Sequence, residues 1–313
     1  MVARYRAVVR VITAFDPLPS PARVHPSSRA PVRVGLVQLA WNADSVQHDD
    51  AIVEGVTAAA GAGAQLVCLP ELTRSRYFAV EPRDAATESV EPESLPGGPT
   101  FDVARRAAQA TGVFVHASCY EAADGGLGYN TAFVVAPDGE LVARTRKTHL
   151  PVTAGYYEDT WFRPGDSGWP VRELAQVRFG FPTCWDQWFP ETSRAYALRG
   201  AEVLVYPTAI GSEPDHPEFD TEPLWEHVIR AQGIMNGTFM VVVNRTGTEG
   251  PLTFYGSSFI SDPYGRVVVQ ASRDEPAVLV ADLDLDQGRD WLGLFPLLAT
   301  RRPGTYGPLL DGA

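Results

Sequence analysis

Three residues that together suit carbonyl chemistry stand where strands run out. Cys184 closes "VRFGFPTC", Glu71 follows "AQLVCLP", and Lys147 stands in "RTRKTHLP". A thiol nucleophile needs a base to take its proton. Attack on a carbonyl also puts negative charge on oxygen, which a cation or N–H groups must hold. The run into Cys184 reads as a strand leading to a helix, a junction that presents a thiol to a cleft and favours the thiolate. Taken singly, each residue has an ordinary explanation. Free cysteine is among the most buried residue types, a carboxylate at a strand end faces water, and a lysine where a strand runs out is a solvated charge. Cys68 and Cys119 lie inside apolar strands and read as buried thiols. Of the histidines, His149 and His227 have interesting neighbours, but neither sits in a Cys–His protease context.

Taken together and in order, "LPEL", "RKTHLP" and "CWDQWFPE" resemble the nitrilase superfamily of carbon–nitrogen hydrolases, with similarity from about Val34 to Leu310. The resemblance implies Cys184 as nucleophile, Glu71 as general base then acid, and Lys147 as the charge opposite the oxyanion, with the Trp185 N–H as a second donor. It adds Glu158, in "GYYE", as a second carboxylate that holds the lysine and helps place the substrate. It implies no metal or organic cofactor, and homo-oligomers built on a shared dimer. Within the superfamily, "GYYE", "CWDQWFPETSR", "YPTAIGSEP", "TFYGSSFISDPYG" and "RRPGTYGPLL" look most like N-carbamoylputrescine amidases. The expected reaction is hydrolysis of the ureido C–N bond of an N-carbamoyl amine to amine, carbon dioxide and ammonia. A β-ureidopropionase-like or ω-amidase activity is the alternative, and a non-catalytic ligand-binding relative is the reading from another class. Members that bind acids tend to carry a basic residue just after the cysteine. This chain has Asp186 and Gln187 there, which argues against an acidic substrate tail.

A small cationic substrate needs an apolar sleeve and an anion. Tyr77, Tyr157, Trp185 and Trp188 are the expected aromatic lining, with Thr208 and Ala209 on the wall. Asp186 is the candidate for the amine end, and a helix cap is its other reading. Asn130, Glu121 and Asn244, polar near strand ends, read as loop ties. "GFPTC" puts Pro182 in a strand, where proline donates no ladder hydrogen bond, so an edge or bulge is expected. "IMNG" at Met235–Gly237 also departs from the superfamily near the expected pocket.

The elements around these residues alternate. "VRVGLVQLA", "AQLVCLPEL", "VFVHASCYE", "EVLVYPTA", "TFMVVVNRT" and "PAVLVADLDL" read as buried strands. Helical spacing of Val46, Ile52, Val53 and Val56 predicts a helix, as do "TFDVARRAAQATG", "ETSRAYALRGA" and "EPLWEHVIRAQGIMNG". "PDGE" and "DPYG" mark hairpin turns. Helix, strand, hairpin recurs in both halves, which predicts two mixed sheets face to face with helices outside: an α/β four-layer αββα sandwich. Residues 1–31, rich in Pro, Ser and Ala, read as a loosely ordered extension. The hydrolase domain spans 32–290, and 291–313 is a tail expected to pack at a dimer interface.

Composition narrows the partners. A net charge of −12 over 313 residues disfavours nucleic acid and anionic membranes and suits a small-molecule substrate. Three widely spaced cysteines, with no zinc spacing, point to free thiols in a reducing, cytoplasmic setting. No apolar run is long enough to span a bilayer. "MVARYRAVVRVITAF" is broken by Arg6 and Arg10 and lacks a clear cleavage site, which argues against a signal peptide.

Overall fold

In the computed structural model, which describes residues 10–87 and 89–310, the apolar runs pair into two mixed sheets. In chain order the strands are β1 (Arg10–Ala14), β2 (Val32–Gln38), β3 (Leu66–Cys68), β4 (Phe114–Glu121), β5 (Tyr129–Val135), β6 (Leu141–Arg146), β7 (Val152–Thr153), β8 (Tyr156–Tyr157), β9 (Val171–Leu174), β10 (Val177–Gly180), β11 (Val203–Pro207), β12 (Phe239–Val243), β13 (Thr246–Glu249), β14 (Leu252–Tyr255), β15 (Phe259–Ser261), β16 (Val267–Gln270) and β17 (Ala277–Leu283). The helices are α1 (Ser45–Gly61), α2 (Pro99–Thr111), α3 (Pro190–Leu198), α4 (Glu222–Asn236) and α5 (Asp286–Leu294). One sheet runs β1-β17-β2-β3-β4-β5-β6 and the other β16-β15-β12-β11-β10-β9. Each has a parallel centre and antiparallel flanks.

The period-two alternation of the strands decides the layers, because successive side chains point to opposite faces. Val34, Leu36, Leu66 and Val134 of the first sheet share a core with Val203, Val205, Val241 and Ile260 of the second. Their neighbours point outward. Val37, Val67 and Val115 pack on Ile52 and Val56 of α1 and on Val103, Ala104 and Ala107 of α2. Leu204, Tyr206, Met240 and Val242 pack on Tyr196 of α3 and on Trp225 and Ile229 of α4. The result is the four-layer αββα sandwich. Burying each Val, Leu, Ile or Met among them contributes roughly 1.5–3 kcal/mol. Gly35 lets α1 lie close, since a Cβ there would stand 2.9 Å from the Ala59 methyl.

Local signals set the helix ends. Asp44 caps α1 by accepting from Val46 and Gln47 N–H, and Gly112 and Gly237 close α2 and α4 in the left-handed conformation. Val46, expected on the buried face of α1, is 68% exposed in its first turn. No helix among the described residues is long and apolar enough to cross a membrane.

Several expectations are corrected. The described part of the N-terminal segment is ordered. Residues 10–14 add β1 as a parallel edge strand on β17. Farther on, Ser20 and Arg23 bond Asp290, and Ser28 bonds Asp286 through backbone and side chain. Its Pro- and Ser-rich composition is that of a strap held by side chains rather than of a loose tail. Residues 1–9 lie outside the described residues. The boundary between 290 and 291 falls inside α5, where Trp291 donates to the Ile234 carbonyl at 2.7 Å. Leu294, Phe295, Leu309 and Leu310 beyond it are exposed. Pro182 lies past the end of β10, so no strand edge or bulge is needed to accommodate it. Met235–Gly237 is the end of α4, where Asn236 bonds Ser193 of α3 away from the pocket.

One buried group stands out between the sheets. His116, on β4, has no exposed surface and lies against Phe181, with ring centroids 5.2 Å apart and nearly parallel. Neither ring nitrogen has a hydrogen-bond partner among the described residues. Burial pushes its pKa down to about 3.

Candidate active site

Glu71, Lys147 and Cys184 each lie just past the C-terminal end of a strand: β3, β6 and β10. Leaving a strand frees the chain to turn a side chain inward between the two sheets. The Glu71 turn is pinned by a buried guanidinium. Arg245 donates to the carbonyls of Glu71 at 2.7 Å, Leu72 at 3.0 Å and Ser75 at 3.2 Å. Leu72 sits there at φ 48°, a left-handed conformation that a branched residue holds only under such constraint. Lys147 is tied by its N–H to the Asn130 carbonyl at 2.8 Å.

The three charged side chains form one cluster. Lys147 Nζ donates to Glu71 Oε1 at 2.9 Å and to Glu158 Oε1 and Oε2 at 2.8 and 2.6 Å. None of the three residues is more than 1% exposed. Tyr77 donates its hydroxyl to Glu158 Oε1 at 2.8 Å, and Asn130 Nδ2 donates to Glu71 Oε1 at 2.7 Å. Glu71 Oε2 has no hydrogen-bond partner among the described residues. Burial opposes the lysine's charge, but Glu158 and Glu71 outweigh it and hold the ammonium above its ordinary range. Burial dominates at Glu158, offset in part by Lys147, and raises its pKa to about 7. Two carboxylates share one ammonium, so the cluster has one negative charge in excess and readily takes a proton.

Cys184 opens a five-residue 3-10 turn, Cys184–Trp188, at φ 36° and is buried. The helix read from "ETSRAYALRGA" begins at Pro190, so this short turn stands between it and the cysteine. Burial raises the thiol's pKa well above its usual value. Glu71 adds to the rise, while Lys147 and the Ala209 N–H, which hydrogen bonds the sulfur, work against it. The expectation of a favoured thiolate is therefore corrected: a short turn does not offset the removal of water. The thiol rests protonated, with a carboxylate as its neighbour.

The pocket above Cys184 has a volume of about 240 Å³. Trp185, Trp188 and Ala209 line it, with Glu158 at its inner end. Four other residues expected in the lining are elsewhere. Tyr77 is buried behind Glu158, and Thr208 is buried with its N–H on the Val243 carbonyl. Tyr157 directly precedes the short helix that carries Glu158, and the neighbouring Tyr156 lines the pocket instead. Asp186 is a cap. Its carboxylate accepts from the N–H groups of Thr183 and His149 at 3.2 and 3.0 Å and lies 2.7 Å from His149 Nδ1. It thereby joins the Lys147 segment to the Cys184 turn. Capping and amine binding were both open from the sequence, and the cap is what forms.

Sequence reading missed Glu213 and Thr221, which line the outer pocket, with Thr221 Oγ1 3.4 Å from Glu213 Oε1. Burial raises the Glu213 pKa, and Thr221 lowers it in part. The visible signal was "IGSEP", a lone carboxylate in a loop just after an apolar strand. Leu224 and Ile210 complete that wall. Asn130 was expected as a loop tie and instead bonds Glu71. Among the described residues no group of three His, Cys, Asp or Glu is placed to hold a metal ion.

The pattern of the carbon-nitrogen hydrolase family matches residues 33–292. Over 90% of its length the chain is 37% identical to the N-carbamoylputrescine amidase of Solanum lycopersicum, 96% of which is covered. It is 33% identical to the citrullinase of Francisella tularensis subsp. tularensis, over 90% of this chain and 99% of that one. The crystal structure of a carbon-nitrogen hydrolase from Helicobacter pylori G27 matches with a TM-score of 0.78 at 30% identity, covering 90% of this chain and 99% of that one.

Proposed function

The chain belongs to the carbon-nitrogen hydrolase family, enzymes that act on C–N bonds other than peptide bonds, and on that premise we propose that it cleaves the ureido bond of an N-carbamoyl amine with a cationic tail. The carrying observation is Glu213. Among the described residues it is, apart from Glu158, the one charged side chain in the lining of the pocket over Cys184, and neither lysine nor arginine lines it. An ammonium on a short methylene chain meets an anion there, whereas a carboxylate meets none of the cations it needs. This favours an amine-tailed substrate over citrulline, N-carbamoyl-β-alanine or an acidic ω-amide.

Cys184 attacks the ureido carbon as its thiol proton passes to Glu71 Oε2. The oxyanion is held by the charge of Lys147 and by the Trp185 N–H. All three Lys147 contacts are already to carboxylate oxygens, so the lysine offers charge and a shared proton rather than a free one. Collapse breaks the C–N bond, and the leaving ammonia takes the proton from Glu71. Water then gives a proton to Glu71 and attacks the carbamoyl thioester. The thiol leaves with that proton, and the carbamate falls apart to amine and carbon dioxide.

The test is ammonia release from N-carbamoylputrescine, citrulline, N-carbamoyl-β-alanine and a simple ω-amide at equal concentration, with Cys184→Ala as blank. The amine substrate should lead. Glu213→Gln should lower kcat/KM for it by roughly tenfold to a hundredfold and leave the uncharged amide nearly unaffected. Preference for an acid-tailed substrate would overturn the assignment. No turnover together with a sluggish Cys184 would favour the non-catalytic reading.

A further inference from the structure

Besides Lys147, one side chain among the described residues donates to the Glu71 carboxylate, and the same residue holds the lysine's backbone. Asn130 donates Nδ2–H to Glu71 Oε1 at 2.7 Å, and its backbone carbonyl accepts the Lys147 N–H at 2.8 Å. It is 1% exposed. Its own orientation is set from β4, because Ser118 Oγ lies 3.3 Å from Asn130 Oδ1 as donor and accepts the Leu72 N–H at 3.1 Å. With Oδ1 taken by a hydroxyl donor, the amide presents its NH₂ to Glu71.

We propose that Asn130 is the positioning residue that makes Glu71 a base through one oxygen only. Oε1 receives both the Asn130 amide and the Lys147 ammonium, while Oε2 has no hydrogen-bond partner among the described residues. A carboxylate otherwise turns about its last torsion, which is broad and two-fold. Two donors on the same oxygen lock that torsion and aim the other oxygen's lone pairs at the thiol proton. Asn130 does this without adding charge to a cluster that already has one negative charge in excess. A lysine or arginine in its place would neutralise the base, and an aspartate would add a further buried anion. The arrangement also couples the two halves of the machinery. β5 places one residue whose side chain sets Glu71 and whose carbonyl sets Lys147, so a shift of β5 moves both together.

The inference rests on Glu71 being the base for Cys184, and the experiment separates the two. The rate of Cys184 alkylation by iodoacetamide is measured from pH 5 to 9 for the wild type, Glu71→Gln, Asn130→Ala and Ser118→Ala (about four decades of proton activity). No substrate is needed. Glu71→Gln should remove the acidic limb of the profile. Asn130→Ala should slow alkylation about tenfold or more near neutral pH and move that limb to higher pH, because the charged carboxylate loses a donor. Ser118→Ala should move it the same way by a smaller amount, and it carries the test if Asn130→Ala does not fold. With N-carbamoylputrescine as substrate, the loss should fall on kcat rather than KM. If Glu71→Gln flattens the limb while the folded Asn130 and Ser118 variants leave it in place, Asn130 is only a structural tie. If Glu71→Gln also leaves it in place, the reading of Glu71 as base fails instead.

Discussion

Lys147→Met is expected to abolish turnover and to cost about 3–5 kcal/mol of stability, the range for removing one member of a buried ion pair. The two carboxylates that flank Nζ would be left facing each other with no cation and no access to water. Glu71→Gln is the contrasting change. With Glu71 as the general base proposed above, it should lower turnover by roughly 10²–10⁴-fold. It should leave stability unchanged or higher, because it turns a cluster with one excess negative charge into a matched pair. Denaturant unfolding alongside ammonia release reads both. The sign with pH follows from Glu158, whose folded-state pKa of about 7 lies above its ordinary 4.5. Its charged form is unfavourable in the fold, a cost present above pH 7 and relieved as pH falls toward 4.5. Lys147 now holds the Glu158 pKa down, so its loss raises that pKa further, and the Lys147→Met deficit should shrink on acidification. Equal stability of Lys147→Met and wild type at pH 8 would contradict this account of the cluster.

His116→Leu should gain stability over the wild type as pH falls. The folded-state pKa of about 3 lies below the ordinary 6.5 of a histidine, so between those values the unfolded chain binds a proton that the fold does not. Stability from the neutral imidazole is full above pH 6.5 and is lost below it, at about 1.4 kcal/mol per pH unit. Leucine cannot take up the proton. The difference in unfolding free energy between the two proteins should thus change by roughly 2 kcal/mol in favour of the variant from pH 7.5 to 5.0. Glu158 titrates in the same window with the opposite sign, but it is common to both chains and cancels in the difference. A difference that stays flat across this range would mean that His116 has a proton partner or solvent access in the folded protein.

The sandwich was legible because strand periodicity and turn residues are local signals. Val34 and Leu36 alternate with Val37, and "PDGE" closes β5 on β6 whatever lies beyond. Glu71, Lys147 and Cys184 were legible only together: singly each has an ordinary explanation, and it is the order of "LPEL", "RKTHLP" and "CWDQWFPE" along the chain that marks them. The pocket lining was legible only in part, at Trp185, Trp188 and Ala209. Tyr156 and Tyr157 are neighbours in sequence, and which one faces the pocket depends on β8 pairing with β7 in a two-stranded ribbon. Asp186 resembles a ligand for an ammonium until the His149 and Thr183 N–H groups close on it. Glu213 had no periodic context at all, and only the loop's path brings it over Cys184. The extension was misread because Pro and Ser describe backbone habit, and its order comes instead from ion pairs with Asp284 and Asp290.

The place of β17 has a consequence for how the chain matures. Among the described residues the last strand in the chain, Ala277–Leu283, lies between the first two, β1 and β2. During synthesis β2 has an open, strongly apolar edge until Leu283 has been made. The sheet that positions Glu71 and Lys147 cannot close as an early, self-contained unit. Such long-range closure slows folding and prolongs the exposure of unpaired strands. Loss of the last strand would leave more than a shortened protein: it would strand β1 without a neighbour and turn the β2 edge into a template for self-association.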